Sequence, residues 1–211
     1  MTFRLFFLLF IFSFSGFSQD QNLEKLKIQA KKFGASGEIL KSISLTEKII
    51  AIEAAKKDTS TCIEWYNYLF VLYINIEKRE DFVRCEKKLL PLLKYKNEQT
   101  STAFTYLGGT YEYKADFEKA NFYYEKAEQF LPKNSPSYHL NIAVLLNNKG
   151  TIAMRQGEYT TALKYYQQAL YHYSKTDTKN IDTQSEIANT YHNIALTNNR
   201  LGNAEISKIY F

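Results

Sequence analysis

The stretch Phe104-Thr-Tyr-Leu-Gly-Gly-Thr-Tyr111, followed by Asp116-Phe-Glu-Lys-Ala120 and then Tyr124, Ala127 and Pro132, constrains the fold more than any other part of the chain. Its large and small residues carry the spacing of a helix, a tight turn and a second helix. The turn recurs along the chain, with Asp81, Asp116, Glu158 and Asn203 as successive helix-opening residues at spacings of 35, 42 and 45. Asp and Asn suit that place because their side chains accept from the free N–H groups of a helix's first turn, while Glu158 is the poorer cap. Gly108 and Gly150 fall on one position of the recurring unit, and Gly157 and Gly202 on another. Two antiparallel helices approach closely only where neither carries bulk, so the pairs Gly108 with Ala120, Gly150 with Ala162 and Ala195 with Ser207 predict tight helix contacts. Tyr73 opposite Cys85 departs from that pattern.

Composition agrees with helices. The 211 residues hold only 8 Gly and 3 Pro, too few for the turn every 8 to 12 residues or so that a sandwich or barrel needs. Hydrophobic residues make up 45%, with 17 Tyr and 15 Phe, which excludes a disordered chain.

The unit from 101 to 132 resembles the tetratricopeptide repeat: large residues at unit positions 4, 7 and 11, small ones at 8, 20 and 27, an aromatic at 24 and a proline at 32. The resemblance implies an all-α fold, a superhelical stack of antiparallel helix hairpins, here about 21–56, 60–96, 100–131, 137–175 and 183–211. A lone hairpin cannot bury its apolar stripe, so each covers its neighbour's. The wide spacings of 42 and 45 imply helices extended beyond the minimal unit of about 34 residues. In this register Tyr124 and Tyr166 are core residues.

The resemblance also implies a binding groove, lined by unit positions 2, 5, 6, 9, 12 and 13 of each first helix. In the second unit these are Asn67, Phe70, Val71, Ile74, Glu77 and Lys78, and in the third Thr102, Thr105, Tyr106, Gly109, Glu112 and Tyr113. The fourth gives Val144, Asn147, Asn148, Thr151, Met154 and Arg155, and the fifth Asn189, His192, Asn193, Leu196, Asn199 and Arg200. A row of Asn amides can pair with an extended peptide backbone, and two Arg can hold a carboxylate. Tyr106, Tyr113, Asn147, Asn148, Arg155, Asn189, His192, Asn193, Asn199 and Arg200 are therefore the candidate ligand contacts, and the plainer alternative is that they keep a face soluble. The expected function is non-enzymatic protein or peptide binding. Its rivals are the extracytoplasmic sensing part of a signalling protein and the regulatory front of an exported protease.

Residues 1–18 have the layout of a secretory leader: Arg4, an apolar run from Leu5 to Phe14, and small residues before a cut after Ser18. The run falls short of the roughly 20 residues that cross a bilayer, so no membrane insertion is expected within 19–211. The predicted address is outside the inner membrane of a bacterium, periplasmic or secreted. The bias toward Asn, Lys, Ile, Tyr and Phe resembles proteins of Bacteroidetes-type genomes. Cleavage leaves 26 basic and 22 acidic residues, with no basic block to suggest nucleic acid. The sequence stops at unit position 24 of the fifth hairpin with no polar closing helix, which predicts a reading frame continuing beyond Phe211, itself a further partner surface.

Chemistry is sparse. His139, His172 and His192 have no metal-ligand spacing, Gly108-Gly109 lacks the Gly-Lys-Ser/Thr of a phosphate loop, and no nucleophile motif occurs. No catalytic residue, cofactor or metal is expected. Cys62 and Cys85 are not predicted to bridge, since antiparallel helices would hold them roughly 15 Å apart against a limit of about 7 Å. Cys85 reads as a buried packing residue and Cys62 as a free thiol.

Overall fold

A computed structural model describes residues 20–203, 205 and 207. The leader expected in 1–18 lies outside them, as do Ala204, Ile206 and 208–211 of the fifth hairpin. No strand occurs among the described residues. Helices α1 (20–35) and α2 (Ile39–Lys56) form the first hairpin, and α3 (Thr59–Asn75) is followed by a single 3-10 turn at Arg79–Phe82 and a short α4 (Val83–Leu89). Helices α5 (Glu98–Tyr113) and α6 (Phe117–Phe130) form the third hairpin, and α7 (Tyr138–Arg155) and α8 (Tyr159–Tyr173) the fourth. Helix α9 (Ile181–Arg200) opens the fifth, and residues 205 and 207 beyond its corner are again helical. The expected second helix of hairpin two, reaching 96, is cut short. Pro91 opens a 3-10 turn at Leu90–Leu92, because proline has no N–H to continue an α-helix and clashes with the carbonyl four residues back.

The hairpin corners share one backbone design. Ala115, Gly157 and Gly202 adopt left-handed φ values of 60°, 82° and 79°. The next amide reaches back over the helix end: Asp116 N–H to Tyr111 O at 2.9 Å, Glu158 to Ala153 at 2.8 Å and Asn203 to Asn198 at 2.9 Å. This six-to-one bond satisfies carbonyls that a helix terminus would leave open. The same three residues then accept from Ala120, Ala162 and Ser207 N–H. Asp116, Glu158 and Asn203 thus occupy equivalent corners. Asp116 adds a side-chain bond from Lys119 N–H, whereas Glu158 makes none, in line with its extra methylene.

Asp81 does not occupy the equivalent corner. Glu77 takes the left-handed conformation at φ 56° and Lys78 N–H bonds Tyr73 O at 2.9 Å, so the second corner falls at Lys78, three residues earlier. Asp81 lies inside the 3-10 turn. The shift moves every position in that hairpin. Phe70 and Phe82, not Tyr73 and Cys85, take the places that Gly108 and Ala120 hold downstream. Their rings meet edge to face at 5.0 Å and 76°, a favoured aromatic geometry.

The chain divides into two compact units that part between Cys85 and Glu86. The core of the first includes Ile49, Trp65, Leu69, Leu72 and Phe82. Both cysteines are free, as expected; Cys62 is buried, with its Sγ 3.8 Å from Ile50 O, while Cys85, expected as a buried packing residue, is only half-buried. Burial, then Glu53 and Asp58, push the Cys62 thiol pKa up.

The second unit is built around tyrosines. A Cβ on Gly108 would lie 2.5 Å from the Tyr124 ring, and one on Gly150 2.5 Å from the Tyr166 ring. Both rings are fully buried, so the glycine is fixed by the tyrosine lying over it as well as by helix approach. At the start of this unit Glu86 accepts from Tyr111 at 2.5 Å, from Tyr123, and from Lys119 at 2.9 Å. Lys119 Nζ also sits 4.0 Å from the Tyr111 ring centroid. Burial pushes the Glu86 carboxyl up, but these donors and the Lys119 charge outweigh it and hold its pKa below the usual carboxylate value.

Candidate ligand-binding face

In the second unit the first helices of successive hairpins, α5, α7 and α9, are neighbours. Positions four and three residues apart on each helix point the same way, so their outward rows combine into one face. Tyr106 is half-buried there, Tyr113 is half exposed, Asn148 and Asn193 are half-buried, and Asn189, His192, Asn199 and Arg200 are exposed.

Three of the expected contacts, Asn147, Asn193 and Arg155, have partners within the stack itself. Asn147 is buried and its Oδ1 accepts from Asn193 Nδ2 at 3.2 Å, which ties α7 to α9. Arg155 Nη1 donates to Glu112 O at 2.6 Å, and its guanidinium carbon lies 4.8 Å from the Phe117 ring centroid. A cation at the last turn of α5 suits the negative end of that helix dipole. Arg155 therefore has a local partner within the stack. In the first unit, Asn67 and Ile74 are half-buried and Val71 is exposed, but Phe70 is core. Its assignment to the groove followed from the shifted register.

The face carries a cleft of about 280 Å³ lined by Thr102, Thr105 and Tyr106 of α5, Leu140, Asn141 and Val144 of α7, and Asp182, Thr183 and Glu186 of α9. Burial raises the Tyr106 phenol pKa, so this hydroxyl is neutral at physiological pH and both donates and accepts. Burial, then the neighbouring Asp182, raises the Glu186 carboxyl. Three of the lining residues were in the predicted row with Val144, and five were missed. The missed five lie in the N-terminal extensions of α7 and α9, which begin five and seven residues ahead of unit positions 143 and 188. The wide corner spacings signalled that extra length without showing which face it would wall. No group of three or more His, Cys, Asp or Glu side chains converges on a metal-sized site among the described residues. No described helix is long and apolar enough to cross a membrane.

Comparison with known proteins agrees with this geometry. Residues 143–175 match the tetratricopeptide repeat family model, in the register set by the Glu158 corner. Solved structures with similar folds include BtubC (BKLC) from P. vanneervenii, 19% identical with a TM-score of 0.68 over 89% of this chain and 76% of that one. Another is the set of nearly identical TPR-like repeats of kinesin-light-chain type from Podosopora anserina, 14% identical with a TM-score of 0.65 over 90% and 91% of the two chains. A search of the curated proteins found no significant match. At these identities the likeness establishes the fold: an all-α stack of tetratricopeptide-type hairpins.

Proposed function

We propose that this chain is a non-enzymatic scaffold that binds an extended peptide segment of a protein partner across α5, α7 and α9, with one peptide side chain in the Tyr106 cleft. Repeat stacks of this kind commonly present such surfaces to proteins. The observation that carries the reading is the cleft itself, a recess with apolar Leu140 and Val144 walls and hydrogen-bonding groups from three successive first helices. Asp182 and Glu186 at its edge favour a neutral or basic segment, which replaces the carboxylate clamp expected of Arg155 and Arg200. We further propose that the chain is exported and cut after Ser18; N-terminal sequencing of the protein from its native cells should begin at Gln19, and an intact Met1 overturns this.

The binding reading is tested on an array of unstructured peptides probed with the wild-type protein and with Tyr106→Ala and Glu186→Lys. The wild type should retain a subset enriched in basic residues, Tyr106→Ala should lose it by tenfold or more, and Glu186→Lys should invert the charge preference. Binding that ignores both substitutions, or a wild type that retains nothing, rejects the proposal.

A further inference from the structure

A different part of the fourth hairpin carries chemistry that the peptide face does not use. His139, in the first turn of α7, and His172, in the last turn of α8, meet at the end of the hairpin opposite its corner. Their Nδ1 atoms are 3.1 Å apart, with ring centroids at 5.2 Å and planes tilted by 42°. Both rings are half-buried, and Tyr138 and Tyr171 stand edge-on against them at 5.5 and 5.6 Å. Those contacts limit how far either imidazole can swing away.

Without a ligand, one Nδ1–H must donate to the other Nδ1, since two lone pairs at this distance repel. The same spacing suits a shared metal ion. Zinc–imidazole bonds of about 2.0 to 2.1 Å at a tetrahedral angle place the two nitrogens about 3.3 Å apart, a movement of a few tenths of an ångström from the observed position. We propose that His139 and His172 form a two-imidazole site for a late first-row divalent cation such as zinc. Both rings bind through Nδ1 in the neutral form and keep their protons on Nε2, so the ion replaces the inter-ring hydrogen bond without net proton release. The remaining coordination positions are open to water or to a ligand atom from a partner. His172 also lines a groove of about 610 Å³ with Glu128, Tyr138 and Tyr171, which gives an ion a path from solvent to its ring. Glu128 is paired with Lys149 at 2.7 Å and Lys164 also lines the groove, so the affinity rests on the two imidazoles rather than on surrounding charge. The 33-residue separation of the two histidines explains why no short-range metal spacing announces them.

The experiment is isothermal titration of the untagged, metal-free protein with zinc chloride at neutral pH, paired with melting curves in zinc and in chelator. One ion per chain and a zinc-dependent rise in melting temperature are expected, both abolished in His139→Ala and in His172→Ala and retained in His192→Ala. His139→Gln, which keeps the ring's bulk and polarity in part, serves as a second variant and should also lose zinc while its circular dichroism and zinc-free melting stay near wild type. No zinc uptake by the wild type, or uptake at wild-type strength in His139→Ala and in His139→Gln, overturns the proposal.

Discussion

The second hairpin and the third and fourth solve the same backbone problem with opposite side chains. All three close through a left-handed residue and a six-to-one bond, at Glu77, Ala115 and Gly157. Downstream, a glycine on the first helix accepts a buried tyrosine from the second. Upstream, Phe70 and Phe82 fill the corresponding place with two large rings. The corner therefore belongs to the main chain, and several interior packings are compatible with it.

The largest effect that probes this contrast should come from Phe82→Ala. This ring is fully buried and its removal leaves a large cavity, so a loss of about 3 to 5 kcal/mol is expected in chemical denaturation. A loss under about 1 kcal/mol would mean the two rings are not the core of that hairpin. In the other packing, Gly150→Val drives a branched side chain into the Tyr166 ring and should cost about 3 kcal/mol. Unchanged melting there would remove the reason given for the glycine.

Glu86 sharpens the comparison from the polar side, because it stands at unit position 24, where Tyr124 and Tyr166 stand in later units. Glu86→Gln should cost about 2 kcal/mol at neutral pH by weakening the charge-assisted bonds from Lys119 and the two tyrosines. Since the folded-state pKa is depressed, the stabilisation is full above the unfolded carboxylate value of about 4.3 and fades as pH falls through the folded value. The wild-type and Glu86→Gln stability curves should therefore converge in acid, and parallel curves would show that the network does not depend on the carboxylate charge. Ser42 and Ser207 give a smaller test. Each hydroxyl at unit position 20 donates to the opposing carbonyl, Ala30 O at 2.7 Å and Ala195 O at 2.9 Å, and Ser42→Ala should lose about 1 kcal/mol. Smallest is Glu186→Gln. A raised carboxyl pKa means the native state holds more protons than the unfolded chain in the window above about 4.3, so stability declines as pH rises through it. The substitution should gain roughly 0.5 kcal/mol at neutral pH by removing the repulsion with Asp182, and a loss instead would indicate an ionised, partnered Glu186.

Three of the four corners assigned from the sequence were placed correctly because glycine or a capping acid or amide marks them. The fourth was hidden: neither Glu77 nor Lys78 advertises a turn, and the nearby Asp81 attracted the assignment. An αL glutamate is held there by its surroundings, which a local reading does not contain. The same error placed Phe70 on the ligand face and Cys85 in the core. Within the second unit the rows on α5, α7 and α9 could be read from periodicity, yet periodicity does not distinguish an amide facing solvent from one bonded across helices, as Asn147 is to Asn193. The His139–His172 meeting depends on where two helix ends arrive in space, which spacing along the chain cannot convey.

Because the corners pin each first helix at its C-terminal end, every residue added between units must emerge at the opposite rim. Helices α5, α7 and α9 begin three, five and seven residues ahead of unit positions 101, 143 and 188, a staircase climbing by about 3 Å per step. Insertions and deletions in the connecting loops thus work like a height adjustment, deepening or flattening the recess beside Tyr106 while the interlocked tyrosines below stay untouched, so ligand preference can drift without renegotiating the fold.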